Sequence, residues 1–165
     1  MTKSPLATAL CLALAVIVPD QITKTLVRTL VEPWGLIEVI PGFFNISHVM
    51  NKGAAFGFLN RSDIHWQTWL LIGVSLVAVA FILVLLQKTK AEEKFLVIGL
   101  GLILGGAMGN LIDRILFSGR VTDFLDFYVG AYHWPSFNLA DTGITLGAAA
   151  AILHYLTRRH APDPD

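Results

Sequence analysis

Apolar residues run almost unbroken over four stretches of this chain: Leu6–Pro19, Trp66–Leu86, Phe95–Ile112 and, approximately, Leu139–Leu156. The second stays uncharged for about 20 residues, the length that crosses a hydrocarbon core. The pattern predicts four membrane-spanning helices over about 6–26, 66–87, 95–114 and 138–157, in one integral-membrane domain. The first and fourth runs are short, so their polar ends are expected inside the span. After Asp20 the apolar spacing continues through Ile22, Leu26, Val27 and Leu30, as in a helix that goes on. Asp20 and Lys24 stand four apart on that helix, a pairing distance.

Between the spans the pattern changes. Leu36–Ile40 is β-branched and apolar and ends in Pro41-Gly42, while Phe44, Ile46 and His48 alternate with Asn45, Ser47 and Val49 in imperfect period two. Thr122–Trp134 carries Asp123 and Asp126 among five aromatic residues, a composition that suits a membrane interface. The expected fold is therefore membrane all-α: a four-transmembrane-helix bundle with a small, partly β extracytoplasmic platform built from about 28–64 and 115–137.

Composition agrees. Of 165 residues, 55% are hydrophobic and 15% charged, against about a quarter charged in soluble domains. Net charge is zero, so nothing points to a nucleic-acid partner. The single cysteine, Cys11, makes neither an internal disulfide nor a cysteine metal cage, and reads as a small packed or lipid-facing residue. Lys3 followed by Leu6–Val18 also resembles a secretory signal peptide, but the continuing helical spacing favours a retained span.

Basic residues set the expected orientation. Lys3, then Lys88, Lys90 and Lys94, then Arg158 and Arg159 fall on one side of four spans, which predicts a cytoplasmic location for both termini. Arg28, Lys52, Arg61, Arg114 and Arg120 stand on the other side, so the rule is obeyed only modestly.

Carboxylates are the candidate chemistry. Asp20, Asp113, Asp123, Asp126 and Asp141 sit at or near span ends, where an ionisable group costs at least about 2.5 kcal/mol and marks function. Two carboxylates brought together there can share a proton and activate water. Gly101, Gly105 and Gly109 form one ridge and Gly143, Gly147 and Ala151 another, which predicts close packing of the third span on the fourth. Asn110 and Asp113 continue the first ridge. Asn138 and Asp141 start the fourth span with a spacing that fits a capped helix start as well as a catalytic group. Asp113 and Arg114 suggest a structural ion pair, and Asp126 a solvated interfacial position.

Other hydrolytic chemistries lack their residues. There is no His-Glu-x-x-His and no Gly-x-Ser-x-Gly, and the five histidines are scattered. Ser47 with Lys52 is the one local serine/lysine candidate. A proton-coupled carrier would use acidic relays too, but carriers have more spans and paired repeats. No metal and no cofactor is expected.

Five blocks carry a resemblance: Asp20-Gln21-Ile22-Thr23-Lys24, Asn51-Lys52-Gly53-Ala54-Ala55-Phe56, Gly105–Arg114, Val121-Thr122-Asp123-Phe124 and Phe137-Asn138-Leu139-Ala140-Asp141. In this order on a four-span chain, they resemble the lipoprotein signal peptidases (type II signal peptidases) along nearly the full length. Thr122 and Met108 look like individual choices within the blocks. The resemblance implies an inner-membrane aspartic endopeptidase that cuts prolipoproteins just before a diacylglyceryl-modified cysteine. It implies a catalytic pair at Asp123 and Asp141, and supporting or substrate-contacting roles for Asp20, Lys24, Asn51, Gly53, Gly109, Asn110, Asp113, Arg114 and Asn138. Expected partners are the lipid-modified prolipoprotein, membrane lipid and peptide-like inhibitors of the globomycin type. The active site is expected near the extracytoplasmic face. The segment around Asn51–Phe56, with Gly53 and Gly57 as pivots, is expected to cover the cleft.

Overall fold

The computed structural model describes residues 4–53 and 66–158. Four helices have the length and hydropathy to cross a membrane: α1 (Pro5–Leu30), α2 (Trp66–Lys88), α3 (Lys94–Leu116) and α4 (Leu139–Arg158). Strands β1 (Leu36–Ile40), β2 (Phe44–Asn51), β3 (Val121–Val129) and β4 (Tyr132–His133) pair antiparallel in the order β1-β2-β3-β4. This is the four-helix bundle with a small sheet platform that the pattern predicts.

Helix α3 is the centre of the bundle. Over half of its membrane window, 56%, is buried, against 11% for α2. The reason is its glycines, and they divide between two partners. A Cβ on Gly101 or Gly105 would stand 2.9 or 2.8 Å from the carbonyls of Ala9 and Ala13 on α1. A Cβ on Gly99 would stand 2.7 Å from the Gly147 carbonyl on α4, and one on Gly106 would collide with the Ala140 carbonyl. The expected close packing of α3 on α4 is present, but the assignment of Gly101 and Gly105 to it is corrected. Gly101 and Gly105 seat α1, while Gly99, Gly106 and Gly147 make the close α3–α4 contact. In lipid, where tails are as apolar as leucine, such backbone approach is what holds helices together.

At the far end from the sheet, Arg158 Nη1 on α4 pairs with Glu93 beside α3 at 2.7 Å. At the sheet end, α1 continues through Pro19 to Leu30, and His48 of β2 donates from Nδ1 to the Val31 carbonyl at 2.8 Å. Pro41 and Gly42, with φ of +76° at Gly42, turn β1 into β2, and Phe43 N donates to Ile40 O at 3.0 Å. The alternation expected of Phe44, Ile46 and His48 does not survive along β2. The register slips between Ile46 and Val49, and the buried positions are Asn45, Ser47 and His48. Helix α3 ends at a turn where Gly119 (φ +84°) donates to the Arg114 carbonyl at 2.7 Å, which aims the chain into β3.

Candidate active site

Asp20, Lys24 and Arg28 succeed one another at four-residue steps, so they share one face of α1. That face meets Gly109, Asn110 and Asp113 of α3. Lys24 is fully buried; its Nζ lies 2.9 Å from Asp20 Oδ2, 2.9 Å from Asn110 Oδ1 and 3.6 Å from Asp113 Oδ2. A lysine can only donate, so it fixes the amide of Asn110 with its oxygen inward. The Asn110 Nδ2 then points the other way and donates to Asp141 Oδ1 at 2.8 Å.

The start of α4 is capped twice. Asp141 N donates to Asn138 Oδ1 at 2.9 Å and Asn138 N donates to Asp141 Oδ2 at 3.2 Å, a reciprocal capping box. Ala140 N donates to Asp20 Oδ1 on α1 at 2.9 Å, so a carboxylate from another helix satisfies a second open N–H. The spacing of Asn138 and Asp141 fits a cap, and a cap is present. It does not exhaust Asn138, whose Nδ2 donates to Asp123 Oδ1 at 2.7 Å.

Asp123 arrives from β3 and is 3% exposed. Its second oxygen accepts from Asn51 Nδ2 of β2 at 3.0 Å, and Asn51 is oriented in turn by Gly53 N donating to its Oδ1 at 2.8 Å. One asparagine, Asn138, therefore holds a carboxylate oxygen of both Asp123 and Asp141. Burial, then the charge of Asp141, pushes the Asp123 carboxyl up to about 7 against the pull of Asn51, Asn138 and Lys24. An acid tuned to that range can give or take a proton near neutrality. Among the described residues no group of three or more His, Cys, Asp and Glu is placed to hold a metal.

Asp113 does not pair with Arg114. It lies 3.4 Å from Arg28 Nη1 and accepts from Gln21 Nε2 at 3.3 Å and from Thr122 N at 2.9 Å. Adjacent helix residues point about 100° apart, so Arg114 turns elsewhere and donates to the Gly53 carbonyl at 3.4 Å. Its Nε is buried without a partner among the described residues. Asp126 is not solvated: it is 6% exposed, accepts from Asn45 Nδ2 at 2.9 Å and meets His133 Nδ1 at 2.8 Å. Three residues along a strand reverse the face, which takes Asp126 away from Asp123. Of the expected covering segment around Asn51–Phe56, positions 54–56 and the pivot Gly57 lie outside the described residues.

Sequence reasoning missed three members of the network. Gln21 donates to Asp20, the Gly109 carbonyl and Asp113. Arg28 donates to Thr122 Oγ1 at 2.8 Å, and Thr122 is fully buried rather than an idle choice within its block. The four-residue step from Asp20 through Lys24 to Arg28 was the available signal for Arg28. Nothing comparable marks Thr122, whose backbone N–H donates to Asp113 while its hydroxyl accepts from Arg28.

Four membrane-length helices and two carboxylates, one buried and one half-buried, that share one asparagine define an integral-membrane protein with an acidic centre. A family model described as Signal peptidase (SPase) II matches residues 12–157. The lipoprotein signal peptidase of Maridesulfovibrio salexigens is 52% identical over 144 residues, covering 87% of this chain and 92% of that one. That of Nitratidesulfovibrio vulgaris is 47% identical over 154 residues, 93% of this chain and 90% of the relative. This chain belongs to the signal peptidase II family and is a multi-pass inner-membrane hydrolase of that aspartic type. Two solved bacterial membrane enzymes, both obtained by the in meso method, share its fold. One superimposes with a TM-score of 0.85 at 29% identity over 96% of this chain and 94% of that chain. The other gives 0.81 at 31% identity over 94% and 97%.

Proposed function

We propose that this chain removes the signal peptide from prolipoproteins, cutting just before a cysteine that carries a diacylglyceryl group, with Asp123 and Asp141 as its catalytic pair. The observation that carries the reading is the shared hold of Asn138 on both carboxylates at the start of a membrane helix. Asp141 lies in the first turn of α4, where the helix dipole favours negative charge, so it is the ionised member and takes a proton from water. Asp123 carries the shared proton, hydrogen-bonds the scissile carbonyl, and supports proton delivery to the leaving nitrogen. The two titrate as one unit.

The remaining polar groups fit an extended peptide, whose amides need partners at membrane depth. Asn51, Asn110 and Asn138 orient the pair, Gly53 holds Asn51 and Arg114 through its backbone, and the unpartnered Nε of Arg114 suits a substrate carbonyl. Asp20, Lys24, Gly109 and Asp113 hold α1, α3 and α4 in register beneath it. Acyl chains would lie on apolar helix surfaces, each buried CH₂ contributing about 0.8 kcal/mol. Peptide-like inhibitors of the globomycin type would occupy the same cleft. Lys88, Lys90 and Arg158 support cytoplasmic termini and an extracytoplasmic sheet end.

The test is cleavage of a diacylglyceryl-modified prolipoprotein by the full chain in detergent, read as a mobility shift. Asp123→Asn and Asp141→Asn should each abolish it in protein that still melts cooperatively. Substantial turnover in either variant rejects the pair.

A further inference from the structure

A second polar site lies on the platform, apart from the carboxylates. Residues alternate faces along paired strands. Val49 pairs with Asp123, so the neighbouring pair Met50 and Thr122 belongs to the opposite face. On that face Met50, Arg28, His48, Lys52 and Arg120 line a cavity of about 560 Å³, closed at one side by Trp34. Among the described residues that line it, none is acidic. Arg28 is committed to Asp113 and Thr122 and stacks over Phe117 at 4.3 Å, so it is a fixed charge in the wall. The Arg120 side chain is exposed and has no partner among the described residues. His48 spends Nδ1 on the Val31 carbonyl, which leaves Nε2 as the ring atom not engaged by the backbone.

Two further observations point to what such a cavity takes. Trp34 is 75% exposed and holds φ of +64°, a conformation that costs a bulky residue roughly 1–3 kcal/mol. Backbone bonds keep it there: Trp34 N donates to the His48 carbonyl at 3.0 Å, and His48 N to the Gly35 carbonyl at 3.0 Å. The strain is maintained where the indole forms a cavity wall at an interface, the place tryptophan prefers. Pro33, Trp34 and Met50 supply apolar wall to the same cavity, and near the end of α3 Ile115 and Leu116 expose 61% and 65% of their surface. An anion reaching this cavity thus meets cations at its head and apolar surface alongside. The cations Arg28, Lys52 and Arg120 are also among those that depart from the one-sided distribution of basic residues, and cleavage chemistry gives Lys52 and Arg120 no role.

We propose that this cavity binds the phosphate of an anionic phospholipid in the leaflet at the sheet end of the bundle. Basic pockets beside spans recognise such head groups, at roughly 1 kcal/mol per cation near the surface. Binding would press on the platform through Met50 and Thr122, one residue from Asp123.

The experiment equilibrates the full chain in mixed micelles with equimolar phosphatidylglycerol and phosphatidylcholine, and measures retained lipid by native mass spectrometry and a binding titration. The wild-type protein should retain phosphatidylglycerol preferentially. Arg120→Gln should weaken that binding about fivefold and Arg120→Glu about thirtyfold, while Arg120→Lys retains it. Lys88→Gln, an exposed charge at the other end, should leave it unchanged, and melting curves of each variant report folding. Absence of any lipid preference, or equal retention by Arg120→Glu, overturns the proposal. So does displacement by millimolar inorganic phosphate or by a soluble acidic peptide, which would assign the cavity to a soluble anion or a polypeptide segment.

Discussion

Replacing Asp123 with asparagine should remove activity and, above neutral pH, make the folded protein more stable. Asp123 is 3% exposed, and its carboxyl is raised from 3.8 to about 7, first by burial and then by Asp141. That rise is about 4 kcal/mol against the ionised form. The sign follows from proton counts. Between pH 3.8 and about 7 the folded state holds a proton that the unfolded chain has released. The stability from that proton is complete below pH 3.8 and lost as pH rises through about 7. An asparagine never ionises, so the variant skips the loss. Near pH 3.8 wild type and variant should melt together, because a protonated acid and an amide offer similar groups to Asn51 and Asn138. Above pH 7 the variant should melt higher, by on the order of 10 °C for about 4 kcal/mol in a chain of this size. Tryptophan fluorescence in detergent, scanned in temperature at several pH values, measures the difference. A melting difference that does not change with pH refutes the argument, because it would mean that Asp123 is not a buried acid paying for its charge.

The same titration should appear in catalysis. If Asp123 acts as the acid, kcat/KM for prolipoprotein falls with unit slope as pH rises past about 7, and a level alkaline profile counts against it. Gly109→Ala would place a Cβ 2.7 Å from Asp20 Oδ2 and 3.1 Å from the Ala140 Cβ; it should lower turnover at least tenfold, whereas Gly73→Ala, with nothing within 4 Å, should match wild type. Asp20→Asn leaves the fully buried Lys24 without its nearest anion and should lower stability by about 3–5 kcal/mol, part of which returns in Asp20→Asn/Lys24→Gln, as thermal melts of both proteins will show.

Hydropathy exposes the four helices because bilayer solvation acts on each residue separately and over long runs. The turn at Pro41-Gly42 is legible for a similar local reason: Gly42 alone supplies the positive φ. The α3 ridges show where locality ends. Gly99, Gly101, Gly105 and Gly106 all announce close packing, but which helix each one meets depends on how α1 and α4 are rotated. Spacing along α3 says nothing of that. Asp113 and Arg114 mislead in the opposite direction, since neighbours in sequence diverge on a helix while Arg28, 85 residues away, comes within 3.4 Å. Asp126 looks solvated because its partners Asn45 and His133 are brought by strand pairing. Thr122 is invisible because one of its contributions is a main-chain N–H that every residue but proline possesses, and the other, its hydroxyl, meets Arg28 from 94 residues away.

The charges of the centre explain why Asp123 in particular is forced to hold a proton. Asp20, Asp113, Asp123 and Asp141 face Lys24, Arg28 and Arg114, which leaves the cluster one negative charge in excess if every acid ionises. At membrane depth an unbalanced charge is expensive, and one proton restores neutrality. Asp20 and Asp113 each contact a cation directly, and Asp141 has the helix end. Asp123 contacts only asparagine amides, so it is the acid with the weakest claim on the available positive charge. The balance can be shifted without touching either member of the pair. Lys24 is the cation whose field draws Asp123 down. Lys24→Gln can still donate to Asp20 and Asn110, but it leaves a second negative charge uncompensated. The alkaline limb of kcat/KM should then move to higher pH, even if the maximal rate falls. A purely structural role for Lys24 would lower the rate and leave the limb in place, and a limb that moved to lower pH would contradict the electrostatic account altogether.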